Sequence, residues 1–468
     1  MKEKFSVGMV SLGCAKNQVD AEVMLYLLRE AGYEICNEPA MADVICINTC
    51  GFIDSAKQEA IDTILEMSEY KITGKCRGII VTGCLAERYA KEIVVQLPEV
   101  DAVIGVGGFE KICDAVDAVI SGEKKICAEP KKRAVRIAAQ NSNAIKYFYN
   151  VNDESLDYLD SGRVLTTPKS FAYLKVAEGC DNKCSYCAIP SIRGPFRSRP
   201  IDVLVEEAKS LVLGGTKEII VVAQDTTRYG IDISEDGSSL LPELIIRLEE
   251  IESIERIRLM YLYPDEVTEE LLDTIEKCKK VARYFDIPLQ HISDDVLERM
   301  NRRGSEELIC DVIEKFRAKM PECIIRTSLI TGFPGETEED HEKLKEFLTK
   351  YKLDRVGIFQ YSKEEGTAAA KMTGQIRKST KQKRYDELMS IQQKISLEKN
   401  KERIGKQYSV VVDGASDDGL FYVGRSYGEA PDSDGMIYFA AKDNLEIGDV
   451  VQVKILVADE YDLTGEQV

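Results

Sequence analysis

Phe171-Ala-Tyr-Leu-Lys-Val-Ala177 runs directly into Glu178-Gly-Cys180-Asp-Asn-Lys-Cys184-Ser-Tyr-Cys187-Ala-Ile-Pro190. The first seven residues read as a buried strand. The cysteines behind it are separated by three and then two residues, so one tight loop can turn all three thiolates toward one point. That is how a chain holds an iron-sulfur cluster. A cubane cluster has four irons, and three thiolates leave one iron open to a ligand that is not protein. A zinc loop would bring a fourth Cys or His, and the chain's two histidines, His291 and His341, are both remote.

Downstream the pattern is regular. Strands are predicted at Phe171 to Ala177, Glu218 to Ala223, Ile257 to Leu262, Tyr284 to Leu289, Ile324 to Ile330 and Val356 to Gln360, with helical periodicity between them. Six strand-helix units are too few for the usual eight-stranded closure, so an open, partial (β/α)6 barrel is expected, with its chemistry at the C-terminal strand ends. Those ends carry Cys180 to Cys187, Gln224-Asp225-Thr226-Thr227, Tyr263-Pro264-Asp265, Gln290-His291, Thr331-Gly332-Phe333-Pro334-Gly335-Glu336 and Gln360-Tyr361. Arg193, Arg197 and Arg199 follow the cysteine loop, either as forked donors to a carboxylate or as a solvated basic surface. His291 at the barrel mouth is either a proton carrier or a fixed hydrogen-bonding group. His341, on a charged helix, is expected at the surface.

Upstream, Val7 to Leu12, Val44 to Asn48 and Gly78 to Thr82 read as buried strands, and each is followed by a cysteine: Cys14, Cys50 and Cys84. Helical patterns follow, as at Gln18 to Ala31 and Asp54 to Glu69, so a doubly wound α/β domain is expected. One βαβ unit lies between successive cysteines, which returns all three to the carboxyl edge of the sheet, where such sheets bind ligands. Three converging thiolates suggest a second three-cysteine cluster; the alternative, that they are ordinary buried cysteines, explains poorly why three strands in succession each stop at a cysteine. Cys36, Cys46, Cys76, Cys113, Cys127, Cys278, Cys310 and Cys323 read as ordinary buried thiols. Gly105-Val-Gly-Gly-Phe109 lacks dinucleotide-fingerprint spacing and reads as a turn.

After a charged helix from about Lys381 to Arg403, short β segments separated by Gly, Asp and Ser predict a small antiparallel β-barrel of about five strands. From Arg403 onward five Lys and Arg face thirteen Asp and Glu, the wrong sign for a phosphate-binding surface. The whole chain, 468 residues with net charge −19, has the same bias; it disfavours nucleic acid as a direct substrate and fits a basic partner. No apolar stretch reaches the length of a membrane span and the N-terminus lacks a signal-peptide pattern, so a cytoplasmic protein is expected. Fourteen cysteines there read as metal ligands and buried thiols. The domains expected are 1–127 with the auxiliary cysteines, a linker at 128–165, a core at 166–400 and the barrel at 401–468.

The spacing of Cys180, Cys184 and Cys187 resembles the signature of the radical-AdoMet superfamily. With all six cysteines placed, the chain resembles, nearly end to end, the radical-AdoMet methylthiotransferases: an N-terminal auxiliary-cluster domain, a radical core and a C-terminal TRAM domain. Ser11-Leu-Gly-Cys-Ala-Lys-Asn17 with Val19-Asp20, Gln224-Asp225-Thr226 and Pro288-Leu-Gln-His291 resemble the branch that modifies an aspartate of small-subunit ribosomal protein twelve. The tRNA-modifying branch, of the MiaB type, usually shows serine in place of His291, asparagine in place of Asp225, and a basic TRAM domain.

The resemblance implies two 4Fe-4S clusters and S-adenosylmethionine. Cys180, Cys184 and Cys187 are the implied catalytic set, cleaving AdoMet to a radical that removes hydrogen from the aspartate β-carbon. A cluster on Cys14, Cys50 and Cys84 would present sulfur, and a second AdoMet would supply the methyl group. Gln224, Asp225, Arg193, Gln290, His291, Thr331 and Gly332 are the expected AdoMet contacts, with Asp225 on ribose and the glycines at 332 and 335 letting backbone approach adenine. The implied partners are a basic small-subunit ribosomal protein and an electron donor such as flavodoxin or ferredoxin. The competing readings are a tRNA methylthiotransferase and a noncatalytic iron-sulfur scaffold or sensor.

Overall fold

The computed structural model describes residues 5–122 and 156–468; Cys127 and most of the expected linker lie outside them. Contacts divide the chain into two compact units. One joins the N-terminal domain to residues 178–181 and 187–197, and the other holds 167–177, 182–186 and 198–468.

In the first unit, β1 (Ser6–Ser11), β2 (Glu34–Cys36), β3 (Val44–Thr49), β4 (Gly78–Gly83) and β5 (Val100–Ile104) form a parallel sheet in the order β2-β1-β3-β4-β5. Five strands are present where three were expected. β2 is a three-residue, partly exposed edge. β5 is interrupted by Asp101, whose carboxylate accepts from the Ile79 amide at 2.7 Å and pairs with Lys71. Both are weak signals for a pattern that reads apolar runs. β3 explains the strong ones: Val44 and Cys46 enter one apolar cluster while Ile45 and Ile47 enter another. Helices cover both faces of the sheet, so a residue on either side must be apolar. From β2 the chain jumps back across β1 to β3, opening a crevice at the carboxyl ends of β1 and β3. Gly105–Phe109 becomes part of a short 3-10 helix, Val106–Lys111. Residues 156–166 lie against this unit, Arg163 making a buried 2.5 Å ion pair with Glu22.

The second unit holds six parallel strands side by side in chain order: Phe171–Lys175, Glu218–Val222, Arg256–Leu259, Val281–Asp286, Ile324–Thr331 and Arg355–Gln360. The sheet is open, as expected. The fourth strand starts and ends three residues earlier than predicted, because Ile287 to His291 is drawn out as its C-terminal loop. Sharp helix starts set the alternation: Thr268 and Ser305 cap their helices, and Thr337 with Asp340 forms a capping box. His341 is buried, correcting its expected surface position. Its Nε2 lies 2.9 Å from Glu387 on the long helix Lys378–Lys401, so packing between two charged helices encloses it.

The C-terminal strands Gln407–Ala415, Tyr422–Arg425, Ile437–Ala440, Val450–Ala458 and Leu463–Gln467 close into a barrel around Val410, Val412, Phe439, Val453 and Ile455. Its pairings are antiparallel except that Ile437–Ala440 runs parallel to Leu463–Gln467. Buried ions seat it under the N-terminal ends of the core strands. Glu218 receives Arg258 at 2.6 Å, Arg425 at 2.8 Å and Arg256 at 3.4 Å. Those three guanidiniums outweigh burial and hold the Glu218 carboxyl at about 2, while burial and its two arginine neighbours push Arg256 down to about 10. Among the described residues no helix is long and apolar enough to cross a membrane.

Candidate iron-sulfur and AdoMet sites

The first site stands at the carboxyl edge of the N-terminal sheet. Cys14 caps the helix Ala15–Glu30 behind β1, Cys50 follows β3, and Cys84 opens the helix Cys84–Gln96 behind β4. Glycines make this convergence possible. Gly83 has φ +90, and a Cβ there would collide with Asn48 Oδ1 and lie 2.6 Å from the Thr49 carbonyl. At Gly13, φ +98, a Cβ would sit 2.9 Å from that of Cys50. Only glycine passes without strain.

Asn17 ties the loops together. Its Nδ2 donates to the Leu12 and Thr49 carbonyls at 3.1 and 3.0 Å, and its Oδ1 lies 3.6 Å from Cys84 Sγ. Arg193 adds the charge. Its guanidinium donates to Asn17 Oδ1, to Asp20 at 3.2 Å and to Glu178 at 2.9 and 3.0 Å, with both carboxylates and the arginine fully buried. Burial would raise the Cys14 thiol pKa, but Lys16, Arg193 and the first amides of the helix outweigh it and lower it. Burial pushes Cys50 up and Cys84 up to about 12, with Arg193 opposing both. The donor set, three thiols and no carboxylate, suits iron-sulfur chemistry. Among the described residues no group of three Cys, His, Asp or Glu is drawn together as a single-ion site, whereas a cluster interposes its own irons and sulfides.

The sequence assigned Arg193 to a carboxylate of AdoMet or substrate; the carboxylates it meets are the protein's own. Arg199 is also buried, donating to the Lys175 carbonyl at 3.0 Å and pairing with Glu207 at 2.7 Å. Arg197 is half-buried and donates to the Arg193 carbonyl. None of the three forms a solvated basic surface. Asn17, Asp20 and Glu178 carried no assigned role, although Asn17 and Asp20 lay inside a quoted motif.

The Cys180 to Cys187 loop has its ends in the first unit and its middle in the second. In the first, the Cys180 amide donates to the Gly194 carbonyl at 3.1 Å, and the Ile189 amide lies 3.4 Å from Cys187 Sγ. Gly179, at φ +78, allows this turn, since a Cβ would strike the Pro195 carbonyl. In the second, Ser185 donates its amide to Met300 and its hydroxyl to Arg299, both at 2.8 Å, and Asn301 donates to the Lys183 carbonyl at 2.7 Å. Arg302, buried on the same turn, has its guanidinium 3.8 Å from Cys184 Sγ and 4.0 Å from the centre of the Tyr263 ring. The sequence reading missed Arg302 and its neighbour Arg303. The basic pair in Asn301-Arg-Arg-Gly304 was the available signal, but nothing local tied it to a cysteine over a hundred residues earlier.

Other predicted residues gather at the strand ends of this unit. Buried Asp225 accepts from Asn182 at 2.8 Å and from Thr227 at 2.6 Å, with Arg303 at 3.6 Å; burial raises its pKa against these bonds. Gln224 beside it is half-buried. Gln290 and Tyr261 both have positive φ, +71 and +63, the kind of backbone strain that clusters at functional sites. His291 is fully buried, its Nδ1 accepts from the Ser293 amide at 3.0 Å, and burial drives its pKa down to about 3. It is therefore a fixed neutral group and not a proton carrier near neutrality. Its Nε2 stands 3.9 Å from Glu336, whose carboxylate also gathers the Gly332 and Phe333 amides at 2.6 and 3.0 Å and Arg384 at 2.7 Å. Thr331 donates to the same carboxylate at 3.3 Å. The space beside Gly332 and Gly335 is taken by Lys381 and Arg299 of this chain.

A cysteine loop at the mouth of an open parallel barrel, joined to a doubly wound domain and a small β-barrel, defines a radical-AdoMet enzyme by fold and site. Residues 174–348 match the Radical SAM superfamily, 404–468 the TRAM domain, and 6–105 the family described as Uncharacterized protein family UPF0004. A protein from Acetivibrio thermocellus called ribosomal protein uS12 methylthiotransferase RimO is 47% identical over 466 residues, covering 100% of this chain and 98% of the relative. One of the same name from Clostridium tetani is 47% identical over 463 residues, covering 99% and 98%. The solved radical S-adenosylmethionine methyltransferase TsrM of Kitasatospora setae shares the fold at a TM-score of 0.51 and 14% identity, over 76% of this chain and 73% of that one. The chain belongs to the RimO family of radical-AdoMet methylthiotransferases. It is an enzyme of that class, whose chemistry uses a 4Fe-4S cluster and AdoMet.

Proposed function

We propose that this enzyme transfers a methylthio group to the β-carbon of an aspartate in ribosomal protein uS12, using one 4Fe-4S cluster on Cys180, Cys184 and Cys187 and a second on Cys14, Cys50 and Cys84. The observation that carries it is the assembly of Cys14, Cys50 and Cys84 at the edge of one sheet around Asn17 and Arg193. When bound, the clusters and AdoMet supply the radical, the sulfur and the methyl group, chemistry that no side chain can perform on an unactivated carbon. The protein's part is to bind and orient. Asn182 and Thr227 hold Asp225 ready for ribose hydroxyls, Gln224 and Gln290 flank the site, and Glu336 fixes the Thr331-Gly332 loop beside buried His291. We assign the domains to 1–127, 166–400 and 401–468.

The C-terminal barrel supports a basic protein partner over RNA. Its arginines, Arg403 and Arg425, are buried in ion pairs with Glu429, Asp413 and Glu218, while Asp417, Asp418, Asp432, Asp443, Glu446, Asp449, Asp459 and Glu466 are exposed. A phosphate-binding face needs the reverse. Mass spectrometry of uS12 after incubation with reconstituted enzyme, AdoMet and a flavodoxin or ferredoxin reductant should show the gain of one methylthio group on one aspartate. An unmodified uS12 alongside methylthiolated tRNA would refute the assignment.

A further inference from the structure

Arg193 does more than the reaction, as read above, requires. It is fully buried, and its planar fork reaches three acceptors at once: Asn17 Oδ1, Asp20 and Glu178. Asn17 in turn holds the carbonyls of Leu12 and Thr49, which immediately precede Gly13-Cys14 and Cys50. One guanidinium thus fixes the loops behind two strands and stands beside the thiol of the third, at Cys84. Lysine could not do this, because a point donor lacks the fork. We propose that Arg193 is a positioning residue of the auxiliary centre, a buried cation that orders the Cys14, Cys50 and Cys84 loops and, with Asp20 opposing it, sets the reduction potential of the cluster they hold.

The inference rests on reading those cysteines as cluster ligands. Given that reading, the physics has a sign. Reduction adds negative charge to the cluster, and potentials follow net charge, hydrogen bonding and burial around it. A cation in a low-dielectric pocket stabilises the reduced state, and a neighbouring anion destabilises it. Arg193 and Asp20 lie in contact, so their replacements should move the potential in opposite directions. A residue that merely props up packing would give no such opposition.

The experiment uses the full chain carrying C180A, C184A and C187A, so that only the auxiliary centre can be loaded, reconstituted with iron and sulfide. Iron content and the midpoint potential from an electron paramagnetic resonance redox titration are then read for this parent and for R193K, R193Q and D20N. The expected result is reduced iron in R193K and R193Q with unchanged iron in D20N, a lower potential in R193Q, a higher one in D20N, and R193K, which keeps the charge but not the fork, nearest the parent in potential. Should R193Q lose its cluster, D20N alone carries the sign and must still shift upward. Equal potentials in D20N and the parent, or shifts of R193Q and D20N in one direction, would overturn the role of Arg193. A parent that takes up no iron would instead overturn the assignment of the three cysteines.

Discussion

Cys180, Cys184 and Cys187 lie within eight residues of chain, whereas Cys14, Cys50 and Cys84 span seventy-one and meet only because a parallel sheet returns each strand to the same edge. The first triad is a local object: its spacing is its geometry, and a loop of that length has little choice. The second is a product of topology, its members standing behind the neighbouring strands β1, β3 and β4, with the strand order reversing between the first two. Damage to the N-terminal sheet should therefore cost the topological triad more than the local one.

The hardest break is removal of the thiols. Alanine at Cys180, Cys184 and Cys187 should remove about half the bound iron and abolish 5′-deoxyadenosine formation. Alanine at Cys14, Cys50 and Cys84 should remove the other half while AdoMet cleavage persists. Iron analysis and chromatography of the nucleoside read both; full iron in either variant would refute that triad.

Acid separates the two units more gently. Glu218 and Glu429 are fully buried, and their arginine partners outweigh burial to hold each carboxyl at about 2. Because the folded value lies below the unfolded one near 4.5, the stabilisation is complete above that pH and is lost as pH falls toward 2. By linkage it amounts to about 3 kcal/mol per group. E218Q leaves Arg256, Arg258 and Arg425 buried without their shared anion and should cost about 3–5 kcal/mol at neutral pH. The second unit's calorimetric transition should fall accordingly, and an unmoved transition would show the seat of the barrel to be solvated.

Backbone strain is the next smaller lever. Gly83→Ala forces a side chain into φ +90 against Asn48 and the Thr49 carbonyl, and should destabilise the first unit by about 1–3 kcal/mol. Auxiliary iron should drop while radical-cluster iron stays. Smallest is Asn182→Ala, which takes one hydrogen bond from the buried Asp225 carboxylate. It should weaken AdoMet binding by about 1 kcal/mol, several-fold in Kd by calorimetry, with no change in auxiliary iron.

Charged residues were where sequence reading went astray. His341 sits in Glu338-Glu-Asp-His-Glu-Lys343, a stretch that reads as solvated, yet a second helix folds over it and supplies Glu387. Arg193 and Arg199 follow the cysteine loop as a basic run, and both are buried because acidic partners wait for them at Asp20, Glu178 and Glu207. A charge in sequence carries no record of whether its counter-ion is water or a residue 173 positions away.

What the sequence determined by itself was everything encoded at short range: the strand and helix alternation, because both faces of a covered parallel sheet must be apolar; the cysteine loop, because its spacing fixes its shape; and the acidic barrel, because net charge is additive. Tertiary structure alone decided which polar groups are paired. It paired Arg193 with Asp20 and Glu178, enclosed His291 with its Nδ1 on the Ser293 amide, and brought Arg302 to Cys184. Burial and pairing depend on contacts between residues far apart in the chain, and those contacts exist only once the chain has closed around them.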